Sequence, residues 1–319
     1  MTYIIDLYFK FHKAFLIIFS FLFILGCTDN PDKNKETENQ KIEYNDYVSS
    51  IKSWQERRIT GLKKNWLSLA GLFELQEGKN TFGAHQSNDF VFPNPNTPDF
   101  IGTFIRENGV VSVQVNADDV EVKHNDEVVT EMTLMNDQSG APTVLQTGSL
   151  SWYIIKRADK IYVRLRDSEN PGIEKLTKID NFLLDTAWRL KAQYEPHMTP
   201  KVIETTTTSG DPSRITSSGA VGFRINGQYH RLDVWAMGNS GRFQTIFADG
   251  TSGLETYGAG RFIVVEKSDK NEDYIIDFNK AYNPPCAYTE FATCPIPPPQ
   301  NRLPIRVTAG EKVDKDFAH

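Results

Sequence analysis

From Asp277 to Lys312 the chain reads DFNKAYNPPCAYTEFATCPIPPPQNRLPIRVTAGEK, and seven of its sixteen prolines fall between Pro284 and Pro304. A backbone so poor in N–H donors, with φ fixed at each proline, can be neither a helix nor a central strand. The same stretch carries Cys286, Cys294, Tyr282, Tyr288 and Phe291, too much aromatic and cysteine content for a solvated linker. It is expected to be a packed loop, and long ordered loops in compact domains are often functional. The remaining elements must be built around it.

The N-terminus reads as an address. Lys10, His12 and Lys13 precede the unbroken apolar run AFLIIFSFLFIL, Ala14 to Leu25, which is followed by Gly26-Cys27. That run is short for a membrane span and suits an export signal. Ile24-Leu25-Gly26-Cys27 resembles a bacterial lipobox, which implies cleavage after residue 26 and attachment to the lipid bilayer through an acylated Cys27. An exported lipoprotein of a bacterial cell envelope is therefore expected. The formal charge of the whole chain is −6, without a basic run, and this argues against nucleic acid as a partner. With Cys27 assigned to lipid, Cys286 and Cys294 are left in a compartment that permits disulfides. They could form a bridge, remain as two buried thiols, or supply half of a metal site; no further metal ligands lie nearby in the sequence, and no metal is expected.

Residues 27–43 are polar and aperiodic and are expected to form a flexible tether. From there Tyr44, Tyr47, Val48, Ile51, Trp54 and Leu62 line one side of a helix that Gly61 would end. A Ser-x-x-Lys match at Ser49–Lys52 lacks the companion motifs that would give it meaning. From Trp66 onward the pattern changes to short strands punctuated by turns. Asn108-Gly109 between Ile101–Glu107 and Val110–Val115 predicts a hairpin with a type I′ turn. Two more are expected around His124-Asn125-Asp126 and between Ser151–Lys156 and Ile161–Arg166. A second β region begins near Lys178. It includes a hairpin about Asn226-Gly227, strands at Phe243–Phe247, Phe262–Glu266 and Tyr274–Phe278, and a closing strand at Leu303–Thr308. The expected fold is mostly β: one N-terminal helix and two antiparallel β regions, a sandwich over 44–177 and a sandwich or open barrel over 178–319.

Two resemblances bear on this reading. The stretch from Glu77 to Phe92, EGKNTFGAHQSNDFVF, resembles the opening of a forkhead-associated sandwich. Ala84 stands where that family's phosphate-contacting arginine would follow the glycine, so the resemblance implies the architecture and not the ligand. Trp66–Leu72, Val163-Arg-Leu-Arg-Asp167, Phe182 with Asp185-x-x-Trp188-Arg189, Phe247–Gly253 with Thr256–Arg261, and above all the proline-rich stretch resemble the DUF1684 family. That resemblance implies no activity, substrate or catalytic residue.

Candidate chemistry therefore comes from residue types. Asp277 and Asn279 share one face at the end of a strand, followed by Tyr282 and Asn283, so that an acid, two amides and a phenol lie within reach of one another. Such residues also build turns through their own backbone. Gly258-Ala-Gly260-Arg261 brings a guanidinium close to the backbone, suited to a carboxylate or phosphate. Alternatively Arg261 pairs internally with Asp249, Asp277 or Glu311. Glu311 could serve with Asp277 as an acid/base pair if the two face each other, or lie solvated beside Lys312. Catalytic signatures such as Gly-x-Ser-x-Gly, His-Glu-x-x-His, a P-loop or Gly-x-Gly-x-x-Gly are absent, and the histidines are scattered. No cofactor is expected. The reading that results is a ligand-binding protein in which Arg261, Asp277, Asn279, Tyr282 and Asn283 contact a small polar or anionic molecule. The alternatives are a hydrolase using Asp277 and Glu311, and a scaffold of the envelope.

Overall fold

The computed structural model describes residues 31–93, 97–116, 120–157, 159–268 and 273–317, with 31–40 and 42 described by backbone alone. The expected export signal, 1–26, and Cys27 lie outside the described residues. The chain divides into two units, residues 1–47 and 48–319. A single helix, α1 (Pro31–Leu62), begins in the first and ends in the second.

Helix α1 departs from expectation at both ends. It begins at Pro31, so the segment read as a tether is helical over residues 31–43. Its lysine, glutamate and glutamine content favours helix, and proline is tolerated in a first turn. Nor does Gly61 stop it: the helix runs on to Leu62 and into one π-helical turn, Lys63–Leu67. Two buried leucines, Leu62 and Leu67, hold this end against the body of the protein, and packing outweighs the weak helix propensity of one glycine.

The first β region runs β1 (Leu69–Glu74), β2 (Gly78–Gly83), β3 (Phe90–Val91), β4 (Gly102–Glu107), β5 (Val110–Val115), β6 (Lys123–His124), β7 (Glu127–Val128), β8 (Glu131–Leu134), β9 (Leu145–Thr147), β10 (Leu150–Arg157) and β11 (Lys160–Asp167). These form a six-stranded sheet, β1-β11-β10-β9-β6-β7, and a five-stranded sheet, β3-β2-β4-β5-β8. Their inner faces share one core that includes Phe82, Phe92, Phe104 and Trp152. The sandwich is not wholly antiparallel, since β2 and β3 pair in parallel. Asn108 and Gly109 both take positive φ, 51° and 82°, as the type I′ turn requires.

A short helix, α2 (Pro171–Lys175), leads to β12 (Arg189–Thr206), β13 (Pro212–Ile225), β14 (Gln228–Ala236), β15 (Phe243–Phe247), β16 (Arg261–Lys267) and β17 (Tyr274–Asp277). Pairing of β12 with β17 closes these six into a barrel, so of the two expected forms the barrel is the one present, closed rather than open. The long strand β12 supplies the closure and carries little apolar alternation, because much of it is exposed. Residues 48–319 form one compact unit, so 177/178 separates two β systems within it. Helix α1 packs with the proline-rich stretch rather than with the sandwich core.

The expected closing strand at Leu303–Thr308 does not form. Pro304 removes a donor, and the segment instead plugs the barrel: Phe278, Ala281, Leu303, Val307 and Ala309 join Phe223, Leu232, Phe247 and Ile263 in the barrel core. One side chain takes the place of missing strand pairing. Strands β14 and β15 pair at only two positions, Trp235↔Gln244 and Ala236↔Phe243. Beyond these the buried Asn301 accepts from Asp233 N–H at 2.8 Å and donates through Nδ2 to Asp233 O, Thr245 Oγ1 and Ile246 O at 2.9–3.0 Å. Asn301→Ala strands several buried backbone groups at once. It is expected to cost about 2–4 kcal/mol, measured by denaturant unfolding.

Candidate functional site

Arg261, expected at a ligand, lies wholly inside the protein. It faces Asp249 at 3.6 Å with both side chains fully buried. Its Nη atoms donate to Val307 O at 3.0 Å and to Ala309 O, while its guanidinium lies 5.2 Å from the Phe247 ring centre. Burial lowers Arg261 to about 10, against the opposing pull of Asp249 and Glu311. Asp249 in turn accepts from Val307 N–H and Thr251 Oγ1. This cluster fastens the plug to the barrel. Gly260 makes the approach possible, since at φ 88° an added Cβ would lie 2.6 Å from Phe247 O.

Asp277 and Asn279 form a turn. Asp277 Oδ1 accepts from the backbone N–H and Nδ2 of Asn279, at 3.1 and 3.2 Å. Asn279 also exchanges hydrogen bonds with the Asp185 backbone, at 2.8 and 3.2 Å.

Tyr282, Asn283 and Glu311 converge elsewhere, on a residue that sequence reasoning missed. Glu311 is 1% exposed, not solvated at a chain end. Gly310 turns the backbone with φ 79° just ahead of it, and a Cβ there would lie 2.4 Å from Ala281 O. Bonds from Glu311 N to Ala281 O and from Lys312 N to Asp180 O, each 2.8 Å, then fix the segment. Arg58 Nε donates to Glu311 Oε1 at 3.1 Å, while Asn283 N–H and Tyr288 OH donate to Oε2 at 2.7 and 3.1 Å. Arg58 Nη2 also reaches Asn283 O at 2.5 Å, and its guanidinium lies 4.7 Å from the Tyr282 ring centre. Burial raises the Glu311 carboxyl; Arg58, Asn283 N–H and Tyr288 OH pull it back down. Burial also pushes the Tyr288 phenol well up. Glu311 and Asp277 thus face different partners, Arg58, Asn283 and Tyr288 for one and Asn279 for the other.

A readable signal for Arg58 existed. Ile51, Trp54, Arg58 and Leu62 occur at i, i+3, i+7 and i+11 on α1, so a lone cation interrupts the stripe that is buried. Such a cation needs an anionic partner.

The ion pair forms one wall of a cavity of about 240 Å³. Helix α1 contributes Lys52, Gln55, Glu56 and Arg58, and the facing segments contribute Lys178, Asn181 and Glu311. Asn181 Nδ2 donates to Ile179 O at 2.8 Å, which fixes the amide and leaves its Oδ1 buried without a hydrogen-bond partner.

Cys286 and Cys294 are buried as free thiols. The Cys286 N–H donates to Cys294 Sγ at 3.3 Å, and a hydrogen bond between the two side chains, ahead of burial, raises the Cys294 thiol. Among the described residues no group of three or more His, Cys, Asp or Glu side chains is placed to hold a metal.

Residues 174–312 match the model of DUF1684, a protein family of unknown function. This region of the chain belongs to that family. The DUF1684 region thus holds the barrel, its plug, and Glu311 with its tyrosine and asparagine partners, while Arg58 reaches in from outside the matched residues. An uncharacterised protein of Haloarcula marismortui, solved by solution NMR, is 30% identical over 45% of this chain and 80% of its own, with a TM-score of 0.37. The forkhead-associated domain of FhaA, solved in complex with an intracellular domain of another protein, is 16% identical over 30% of this chain and 97% of its own, with a TM-score of 0.22. A second forkhead-associated domain is 19% identical over 30% and 90%, also at 0.22. No curated protein matches the chain.

Proposed function

We propose that this DUF1684 protein binds a small polar or anionic ligand in the cavity between α1 and the segments around Lys178 and Glu311. The observation that carries this reading is the cavity wall itself. A buried Arg58–Glu311 pair, costly to desolvate, is held in place by Tyr288 and the Asn283 backbone and faces a space of about 240 Å³. Lys52 and Lys178 line the same space and supply cationic donors for an anionic group. The unpartnered Oδ1 of Asn181 accepts from a ligand hydroxyl or amine. A molecule the size of a sugar acid, an amino acid or a sugar phosphate fits both the volume and the donor set.

The test is calorimetric titration of the wild type and Lys178→Glu with glucuronate, glutamate and glycerol phosphate. Lys178 is an exposed residue whose ion pair, among the described residues, is with the exposed Asp180 at 3.0 Å, so reversing its charge leaves the core alone. At least one compound should bind the wild type and be lost from the variant at unchanged thermal midpoint.

The reading extends to location: the protein works at the membrane surface of the cell envelope, held there by lipid on Cys27. Cys27→Ala is expected to release the protein from the membrane fraction into the soluble one, followed by detergent partition and immunoblotting. Retention of the variant in the membrane would count against the tether.

A further inference from the structure

The outer face of the six-stranded sheet carries a positive charge that no ion pair among the described residues compensates. Residues of β11 alternate, with Ile161, Val163 and Leu165 in the sandwich core and Tyr162, Arg164 and Arg166 on the other side. Arg164 is 9% exposed, and its Nε is buried without a hydrogen-bond partner. Its cross-strand neighbours are Leu72 on β1 and Tyr153 on β10. Arg166, one step along the same face, lies 5.9 Å from the Tyr153 ring centre. It is anchored by donating through Nη1 to Asn65 O and Ser68 Oγ, each at 2.9 Å. The acids of the neighbourhood are committed elsewhere. Glu74 pairs with Lys160 at 3.2 Å and Asp137 with Arg157 at 2.6 Å, while Asp211, whose charge acts on Lys160 and Tyr162, accepts from Ser209 Oγ at 2.9 Å. Asp167 belongs to the opposite face of the strand and accepts from Glu169 N–H.

A buried guanidinium without an anion is a costly arrangement. Internal ion pairing, the ordinary answer, operates for Arg58 and Arg261 in this same protein, and among the described residues no such pair forms here. The local electrostatics agree with an unfilled need for negative charge. Burial lowers Arg164 from its ordinary value. Burial would raise the Tyr153 phenol, yet the neighbouring guanidinium groups of Arg166 and Arg164 together outweigh it and the net shift is down. Two guanidinium forks and one phenol make a donor set for a tetrahedral dianion, whose oxygens can accept from several directions at once.

We propose that Arg164, Arg166 and Tyr153 form a second binding site, distinct from the Arg58–Glu311 cavity, that takes a phosphate-type oxyanion on the outer face of the β1–β11–β10 sheet. The anion sits against the Arg164 guanidinium, with Arg166 closing one side and Tyr153 OH donating to it. The same chemistry serves a free phosphate or sulfate and a phosphate carried on a larger molecule.

The experiment is a thermal-shift and calorimetric titration with inorganic phosphate, sulfate and phenyl phosphate, each against sodium chloride of equal ionic strength. It is run in the Lys178→Glu background so that the first cavity does not contribute. Saturable stabilisation is expected, weakened at least tenfold by Arg166→Gln and abolished by Arg164→Met. Without added anion Arg164→Met should not be less stable than its parent, because it removes an uncompensated charge. Tighter binding of phenyl phosphate than of phosphate would indicate a phosphorylated ligand, and the reverse order a free ion. Non-saturable stabilisation, or equal stabilisation of all variants, would overturn the site. If Arg164→Met does not fold, an unchanged affinity in Arg166→Gln overturns it on its own.

Discussion

Asp249→Ala is expected to cost about 3–5 kcal/mol of folding stability and to lower the thermal midpoint by roughly 10 °C. The reason is the company Asp249 keeps. It lies 3.6 Å from an arginine that is itself fully buried, and it accepts from Val307 N–H and Thr251 Oγ1. Truncation removes the anion and leaves Arg261 charged inside the barrel, with Val307 N–H unpaired and the Thr251 hydroxyl left with Thr256 Oγ1 alone. Breaking a buried pair from one side costs more than removing both partners. The double variant Asp249→Ala with Arg261→Met should therefore recover part of the loss. Urea unfolding monitored by tryptophan fluorescence measures all the terms; a single-variant cost below 1 kcal/mol would falsify the view that this cluster fastens the plug.

Arg58→Met is the second large expected effect, and it depends on pH. With Arg58 gone, Glu311 keeps Asn283 N–H and Tyr288 OH but loses its counter-charge, and the expected cost at pH 8 is again about 3–5 kcal/mol. Burial already holds the Glu311 carboxyl above its ordinary value of 4.5, and removal of Arg58 lifts it further. A carboxyl whose folded value exceeds its unfolded one favours the fold while protonated. That contribution is fully present below the unfolded value and is lost as pH rises through the folded value. The deficit of Arg58→Met should accordingly shrink as pH falls from 8 towards 4.5. Glu311→Gln in the same background should make it nearly independent of pH. A deficit that stays constant across this range would mean that Glu311 is not the group left stranded.

The turns and strands of both β regions were legible because they rest on local chemistry. Asn226-Gly227, for example, adopts φ of 49° and 80° as a type I′ turn demands, and the strand expected at Phe243–Phe247 forms at those residues. Barrel closure was not legible. It depends on Arg189–Ala192 of β12 pairing with Tyr274–Asp277 of β17, contacts remote in sequence and unmarked by any periodicity. Leu303–Thr308 has the composition of a strand, but Asn301 just ahead of it takes up the Ile246 carbonyl, and Asp249 takes up the N–H of Val307 within it. The candidate site divides in the same way. Glu311, Tyr282 and Asn283 stood out by type within one stretch, whereas their partner Arg58 lies 253 positions away from Glu311. Arg261 and Asp277 have the residue types of ligand groups and serve the fold. A guanidinium or carboxylate in a β protein suits either role, and only its burial and partners tell them apart.

Titration of glucuronate, glutamate and glycerol phosphate against the wild type and Lys178→Glu bears most directly on the Arg58–Glu311 cavity as a binding site. Saturable heat with at least one compound in the wild type, absent in a variant of equal thermal midpoint, is the predicted result. Equal affinity in both proteins, or no binding by any of the three, would contradict it.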